Sequence, residues 1–426
     1  MLRSPFSHLF LLLASLSSAP ALDLSLSDIA PRVRHHHPAL KAARLAIEEA
    51  KGRQLGAGRL TNPTFGYDFQ NQSNVSPQAG VFSIDQSFPI TRRLSLEKRL
   101  TSQLVTGAEL EVRDVERKLI AEAQQQVVQL LTIAKQRDLR HRQTELAQKL
   151  SEFASGRAKA GEVSPLDAKQ VQLDAQRLRV ESRLLEAQSV SLLGQLKPML
   201  GLRSEDALNI AGDLPAMSLP GSTSWTMRPD YQLAQTKIAA AQTDQDLAKA
   251  RRLPDVTAGF FAAREMQDVT QTNRERTGFL GFRISIPLPF WNRNQGEIAE
   301  KAAAAERARL ESAALAVQIN GEAGTARREM ETNASIVRET RDTLLPLAME
   351  QMDARQKAYE SGQADLLSVL RARDQRLQLE AASLDALRDF HLARIRYEAA
   401  IGKHAPATTP AATPAMKPVI PSSTRR

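Results

Sequence analysis

Apolar positions along the chain follow two periods. Over residues 27–60 and 230–252 they recur at helical spacing, and each stretch runs into a proline, Pro63 or Pro254, that a helix does not pass easily. Beyond each proline the period drops to two. Phe65, Tyr67 and Phe69 share one face, with Gly66 and Asp68 opposite; Phe82, Ile84 and Phe88 share a face opposite Ser83, Asp85 and Ser87. The second half repeats this with Val256, Ala258 and Phe260, then Leu280, Phe282, Ile284 and Ile286, against Arg283 and Ser285. Alternation predicts strands with one apolar and one wet face, over about residues 63–70, 80–90, 254–264 and 277–288. The polar stretches 71–79 and 265–276 read as loops, so each half supplies one hairpin of the length a tilted membrane strand needs.

Long helices follow each hairpin. Residues 92–153 hold no proline and only Gly107 as a weak breaker, a run of about 90 Å at 1.5 Å per residue. A turn over residues 154–165 leads to a helix over 166–197, with Pro165 in its first turn. In the second half a helix runs over 294–359, with Pro346 as a kink, then a turn at 359–366 and a helix over 366–401. The prediction is two antiparallel helical hairpins whose tips lie far from the strands.

The chain is also written twice. Pro38, Ile47, Ala50, Ala57, Pro63 and Phe69 reappear 191 residues later as Pro229, Ile238, Ala241, Ala248, Pro254 and Phe260. Pro89 matches Pro287 at an offset of 198, the difference falling in the longer second loop. A fixed offset indicates two halves with the same element order. The divisions expected are residues 22–202 for the first repeat, 203–227 for a connector with short helices or an added strand, 228–403 for the second repeat, and 404–426 for a disordered Pro/Thr/Ala tail.

Composition fits this picture. Apolar residues are 42% of the 426 but aromatics only 4%, which suits Ala/Leu-rich helix pairs better than a thick globular core. The net charge is +9, with signs interspersed at helical spacing, so it reads as solvated helix faces and not as a nucleic-acid surface. Cysteine is absent, which excludes disulfides, thiolate metal sites and a lipid anchor on an N-terminal cysteine. Residues 1–21 read as a secretory signal peptide: Arg3, an apolar run from Leu9, and Ala19-Pro20-Ala21 with cleavage expected after Ala21. The later sequence offers no long uncharged apolar stretch, so membrane residence would require a β-barrel. Four strands cannot close one, because unpaired edges in lipid leave amides unsatisfied. Several chains must then share a barrel: two would supply eight strands and three would supply twelve.

The segments HPALKAARLAIEEAKGRQLGAGRLTNPTF (37–65), KAGEVSPLDAKQVQ (159–172), ISIPLPFWNRNQGEIAEKAAAA (284–305) and YESGQADLLSVLRARD (359–374), in this order, resemble the outer membrane factor (TolC-like) family of efflux channels. The third segment is most similar to the cobalt-zinc-cadmium efflux class. The resemblance implies a mainly α chain with a small membrane β part and an internal two-fold repeat. It implies a homotrimer with a 12-stranded barrel in outer membrane lipid and an α-helical periplasmic tunnel. It further implies a periplasmic adaptor and an inner-membrane pump as partners, no enzymatic chemistry and no cofactor. Lipid-facing positions would be Phe65, Tyr67, Phe69, Phe82, Ile84, Phe88, Phe260, Leu280, Phe282, Ile284 and Ile286. Gate and adaptor-contact positions at the tips would be Gly161, Ser164, Asp167, Gly362, Asp365, Ser368 and Arg371.

Gly161 and Gly362 suit the positive φ of tight helix ends, and Ser164 and Asp365 suit N-caps. Drug-exporting relatives carry acids six and nine residues after the second tip glycine, where this chain has Ser368 and Arg371; Asp365 or Asp374 could stand in. His35-His36-His37 reads first as a solvated linker before the first helix and only secondly as a metal tract, and His141 and His391 read as surface residues. No phosphate loop, nucleophile triad or zinc motif is present. Two other readings stand beside a heavy-metal conduit: a drug or organic-solute channel of the same fold, and a periplasmic coiled-coil scaffold with no pore.

Overall fold

The computed structural model describes residues 22–71, 78–221, 224–270 and 273–403. The proposed signal peptide and the C-terminal tail lie outside the described residues. After the short strand β1 (Leu22–Leu24) and a single 3-10 turn come α1 (Ile29–His36) and α2 (Pro38–Gly56). The expected single helix is thus two. Pro38 cannot donate to the turn before it, so the chain breaks there and restarts with His37 as N-cap; its Nδ1 accepts the Ala39 amide at 3.1 Å. The histidine run is therefore not a linker, although His35 and His36 are exposed. His35 and His36 end α1, and His37 is buried.

Strands β2 (Thr64–Asn71) and β3 (Gln78–Phe88) precede α3 (Arg93–Lys159), which has 67 residues and spans about 100 Å at 1.5 Å per residue. The chain reverses at Gly161 into α4 (Pro165–Met199). The connector carries β4 (Leu208–Ile210), which pairs in parallel with β1, and a 3-10 turn at Trp225–Met227. The second half repeats the order: α5 (Pro229–Ala250), β5 (Val256–Thr270), β6 (Asn273–Ser285), α6 (Gln295–Glu339), α7 (Leu345–Glu360) and α8 (Leu366–Ala400). Pro38 and Pro229, matched by the repeat, occupy equivalent positions at the starts of α2 and α5.

A π-helical turn over Thr340–Leu344 separates α6 from α7. Its cause is Pro346, which has no N–H for the carbonyl four residues back and whose ring crowds it, so the preceding turn widens. No helix among the described residues is long and apolar enough to cross a membrane.

The four long strands form one antiparallel sheet in the order β2-β3-β5-β6, so a single sheet joins the two halves. The β5–β6 hairpin is longer than its apolar pattern indicates. Residues 265–276, expected as loop, are mostly paired, with Glu265 opposite Thr277 and Asp268 opposite Arg274. Backbone pairing needs no apolar side chains, so the ladder continues where the alternation stops. At the other end β6 stops at Ser285, and Ile286 lies just past it.

The largest core cluster sits midway along α3. Ile120, Val127 and Leu131 pack there with Ile29 and Val33 of α1, Leu24 of β1, and Leu196 and Leu200 at the end of α4. A second cluster joins Met330 and Ala334 of α6 to Phe390, Ala393 and Tyr397 of α8. The thick part of the molecule is therefore a collar around the middle of the helices, with thin two-helix arms beyond it.

Candidate functional site

Three places carry chemistry: the sheet, the helix tips and the collar. In an antiparallel sheet directly paired residues share a face. One row runs Phe65, Ile84, Phe260, Phe282 across all four strands, and the next runs Tyr67, Phe82, Ala262, Leu280. Apart from the half-buried Ala262, these side chains are exposed, Phe282 to 80%, though apolar. Phe69, Phe88 and Ile286 are exposed too. The opposite face carries Ser83, Asp85, Ser87, Thr257, Arg283 and Ser285, with two aromatic residues, Phe261 and Phe279, in edge contact. On that face Arg283 reaches across β5 to both Asp85 oxygens at 2.9 and 3.0 Å, directly over Gly259. Both sheet edges, β2 and β6, have no strand beside them among the described residues.

At the tips, Gly161 and Gly362 take φ of +76° and +75°. Beyond each, an amide bonds five residues back, Glu162 to Arg157 and Gln363 to Ala358, closing the helix end. Three residues past each glycine stands a cap: Ser164 Oγ accepts the Leu166 amide at 3.2 Å, and Asp365 Oδ1 accepts the Ser368 amide at 3.1 Å. The Ser368 hydroxyl and amide hold the Asp365 carboxyl below its ordinary range. Six residues past the glycine the first tip has Asp167 and the second Ser368. The two tips meet in a cavity of about 350 Å³ lined by Arg157, Glu162, Ser164 and Asp167 from the first and Tyr359 and Asp365 from the second. Arg371 is not in it. With Asp374 it lines a separate cleft of about 280 Å³ between α3, α4 and α8, beside Arg140, Gln143 and Asp174.

The collar holds a partly buried ionic cluster that sequence reasoning missed. Arg228, capping α5, contacts Asp230 at 2.8 Å and Glu322 at 2.7 Å, and donates to the Ala400 carbonyl. Arg117 contacts Asp114 at 2.7 Å and donates to the Ala399 carbonyl at 2.9 Å. Two guanidinium groups thus close the C-terminal end of α8, where helix carbonyls are unsatisfied and the dipole is negative. Burial pushes the Asp114 and Glu322 carboxyls up, but their partners together outweigh it and hold both down: the hydrogen bonds and charges of Lys118 and Arg117 at Asp114, and hydrogen bonds from Arg228 and Gln318 with the charges of Arg228 and Arg117 at Glu322. Outside the local pairs these contacts join residues 94 to 282 positions apart, so no spacing could have joined them.

His391 is a second correction. It is only 2% exposed and not a surface residue, because the connector straps over α8 at that point. It hydrogen-bonds the Pro215 backbone, and its Nε2 has no partner. Arg394 reaches Ser218 and Tyr397 reaches the Gly221 carbonyl in the same strap. Burial, and then the charge of Arg394, push the imidazole down to about 4. His141 is exposed, near Glu145. Among the described residues no three His, Asp or Glu side chains are grouped to hold a metal ion.

The architecture is that of outer-membrane channel proteins. OprN, "outer-membrane channel", aligns over 88% of this chain and 89% of its own with 18% identity and a TM-score of 0.73. The Vibrio cholerae outer membrane protein VceC aligns over 88% of this chain and 96% of its own, with 17% identity and a TM-score of 0.73. Residues 223–403 match the family described as Outer membrane efflux protein. The cobalt-zinc-cadmium resistance protein CzcC of Cupriavidus metallidurans is 25% identical over 278 residues, 62% of this chain and 60% of its own length. The match therefore spans about three fifths of that relative. The second half of the chain thus carries the pattern of that family, and the chain as a whole has the fold of the solved outer-membrane channels.

Proposed function

We propose that the chain is the outer-membrane channel of a three-part efflux assembly, a passive conduit from periplasm to exterior. One observation carries the reading: a four-stranded sheet with an exposed apolar face and two open edges, at one end of helices about 100 Å long. Such a sheet satisfies its edge amides in lipid only by pairing with sister sheets. Three copies give twelve strands, within the range of known barrels. The helical hairpins then line a tunnel, and the channel performs no catalysis.

The tips are the end to which a periplasmic adaptor and inner-membrane pump would dock. Gly161, Ser164, Asp167, Gly362, Asp365 and Ser368 shape that end, and Arg371 lies one turn above it. Glu162, Asp167 and Asp365 supply carboxylates there, in place of acids at 368 and 371. The likeness to CzcC favours heavy-metal cations as cargo.

Two experiments test this. Extraction should need detergent and yield a trimer; a protein released by salt as a monomer would refute the channel and favour a scaffold. Deleting the gene should lower growth on cobalt, zinc or cadmium. Unchanged metal tolerance with new drug sensitivity would refute the cargo and keep the channel.

A further inference from the structure

The four junctions between strands and helices lie at one level of the molecule. Arg93 after β3 contacts Asp255 before β5 at 2.6 Å. Arg251, before β5, contacts Glu297 after β6 at 3.2 Å and Glu97 after β3 at 3.8 Å. The Asn294 side chain donates to the Ala248 carbonyl at 3.0 Å. Gly58, before β2, lies so close to the start of α3 that an added Cβ would stand 2.4 Å from the Leu94 carbonyl oxygen.

Each junction adds one more arginine at this level: Arg59, Arg92, Arg252 and Arg293. All four are exposed, and none has a side-chain partner among the described residues. The carboxylates nearby do not neutralise them, since Glu97, Asp255 and Glu297 already face Arg93 and Arg251. Between the arginines stand exposed apolar groups, Leu60, Ile90, Leu253, Phe290 and Trp291, the last 90% exposed. The apolar sheet face begins directly beyond.

A ring of tryptophan and phenylalanine at the edge of an apolar band marks the headgroup level of a bilayer. Guanidinium groups at that level meet phosphates, which they bind in bidentate fashion. We propose that this collar of four arginines per chain binds anionic phospholipid headgroups of the leaflet on the helical side, phosphatidylglycerol being the simplest. It rests on the barrel reading above, and three chains would present twelve arginines around the rim.

The experiment uses the full mature chain reconstituted into two vesicle types, pure phosphatidylcholine and phosphatidylcholine with one third phosphatidylglycerol, followed by native mass spectrometry of the released trimer. Wild type should retain phosphatidylglycerol at least tenfold over its share of the bilayer. The exposed, unpaired positions make R59Q/R92Q/R252Q/R293Q a variant that should still insert and form trimers, yet lose that enrichment. The corresponding quadruple Arg→Lys variant should keep part of it. Wild type that inserts but retains both lipids in bulk proportion would overturn the collar and leave the channel standing, as would undiminished enrichment in the Gln variant. A chain that enters neither vesicle would overturn both.

Discussion

His391 is a neutral imidazole kept dry. The folded protein resists protonating it until about pH 4, whereas an unfolded chain protonates it near 6.5. Below 6.5 the unfolded state therefore binds a proton the folded state refuses. The stability that this group confers is complete above pH 6.5 and falls as pH drops towards 4, by on the order of 3 kcal/mol in all. Trimer melting followed from pH 7.5 to 4.5 should show this loss, and His391→Asn should flatten it; an unaltered slope in the variant would remove His391 as its source. Arg228 makes a second residue-scale case. It is 5% exposed and holds the half-buried Asp230, the exposed Glu322 and a helix end, so Arg228→Met leaves these groups without their donor, a loss of about 1–3 kcal/mol. Arg327→Met, at an exposed pair with Glu331, should cost less than about 1 kcal/mol. Equal melting of the two variants would mean that the cluster is not what ties α5 and α6 to α8.

At the scale of elements, the sheet depends on an empty place. A Cβ on Gly259 would lie 1.9 Å from Asp85 Oδ1, so alanine there must push the Asp85–Arg283 bridge off the strand between them. Crowding of this sort costs about 1–3 kcal/mol. Gly259→Ala should therefore lower the yield of detergent-stable trimer, while Gly278→Ala, whose nearest neighbour is 3.8 Å away, should not. A normal yield from Gly259→Ala would show that the bridge is dispensable. Elements of this kind divide sharply in how far the chain announces them. The alternation through Phe65, Ile84, Phe260 and Phe282 was legible because a strand sets successive side chains on opposite faces, one apolar and one polar here, as was the reversal at Gly161 and Gly362. The break at His37 was partly legible, since Pro38 stands in plain sight and only the depth of the burial is hidden. The length of β5 and β6 was not, because polar residues pair as readily as apolar ones. Nor was the Arg117–Arg228 cluster, whose members come from four helices, α3, α5, α6 and α8, and meet only once these have packed. His391 looked like a surface residue because the strap that covers it comes from a connector without periodicity.

At the scale of the whole molecule, the single chain is unfinished. Its core collar is closed by side chains from both halves, yet among the described residues the sheet ends on both sides in strands with none paired beyond them. Long unpaired edges are places where other chains add on, and a protein that keeps two of them open in lipid has to use both. Closure by rotation demands that β6 of one copy meet β2 of the next, around a ring. The absence of cysteine makes this directly readable, since engineered thiols have no background. Cysteines placed at Tyr67 on β2 and, in separate variants, at Leu280, Phe282 or Ile284 on β6 all stand on the apolar face. One of these pairs should fall within disulfide reach, and oxidation of membranes should convert that variant into covalent dimers and then a covalent trimer, with no larger species. A single cysteine at either edge should stay monomeric, because the ring never sets β2 against β2 or β6 against β6. A ladder extending past three would mean the edges join in an open array, and oxidation confined within one chain would mean that β2 and β6 meet each other and the sheet needs no sister copies.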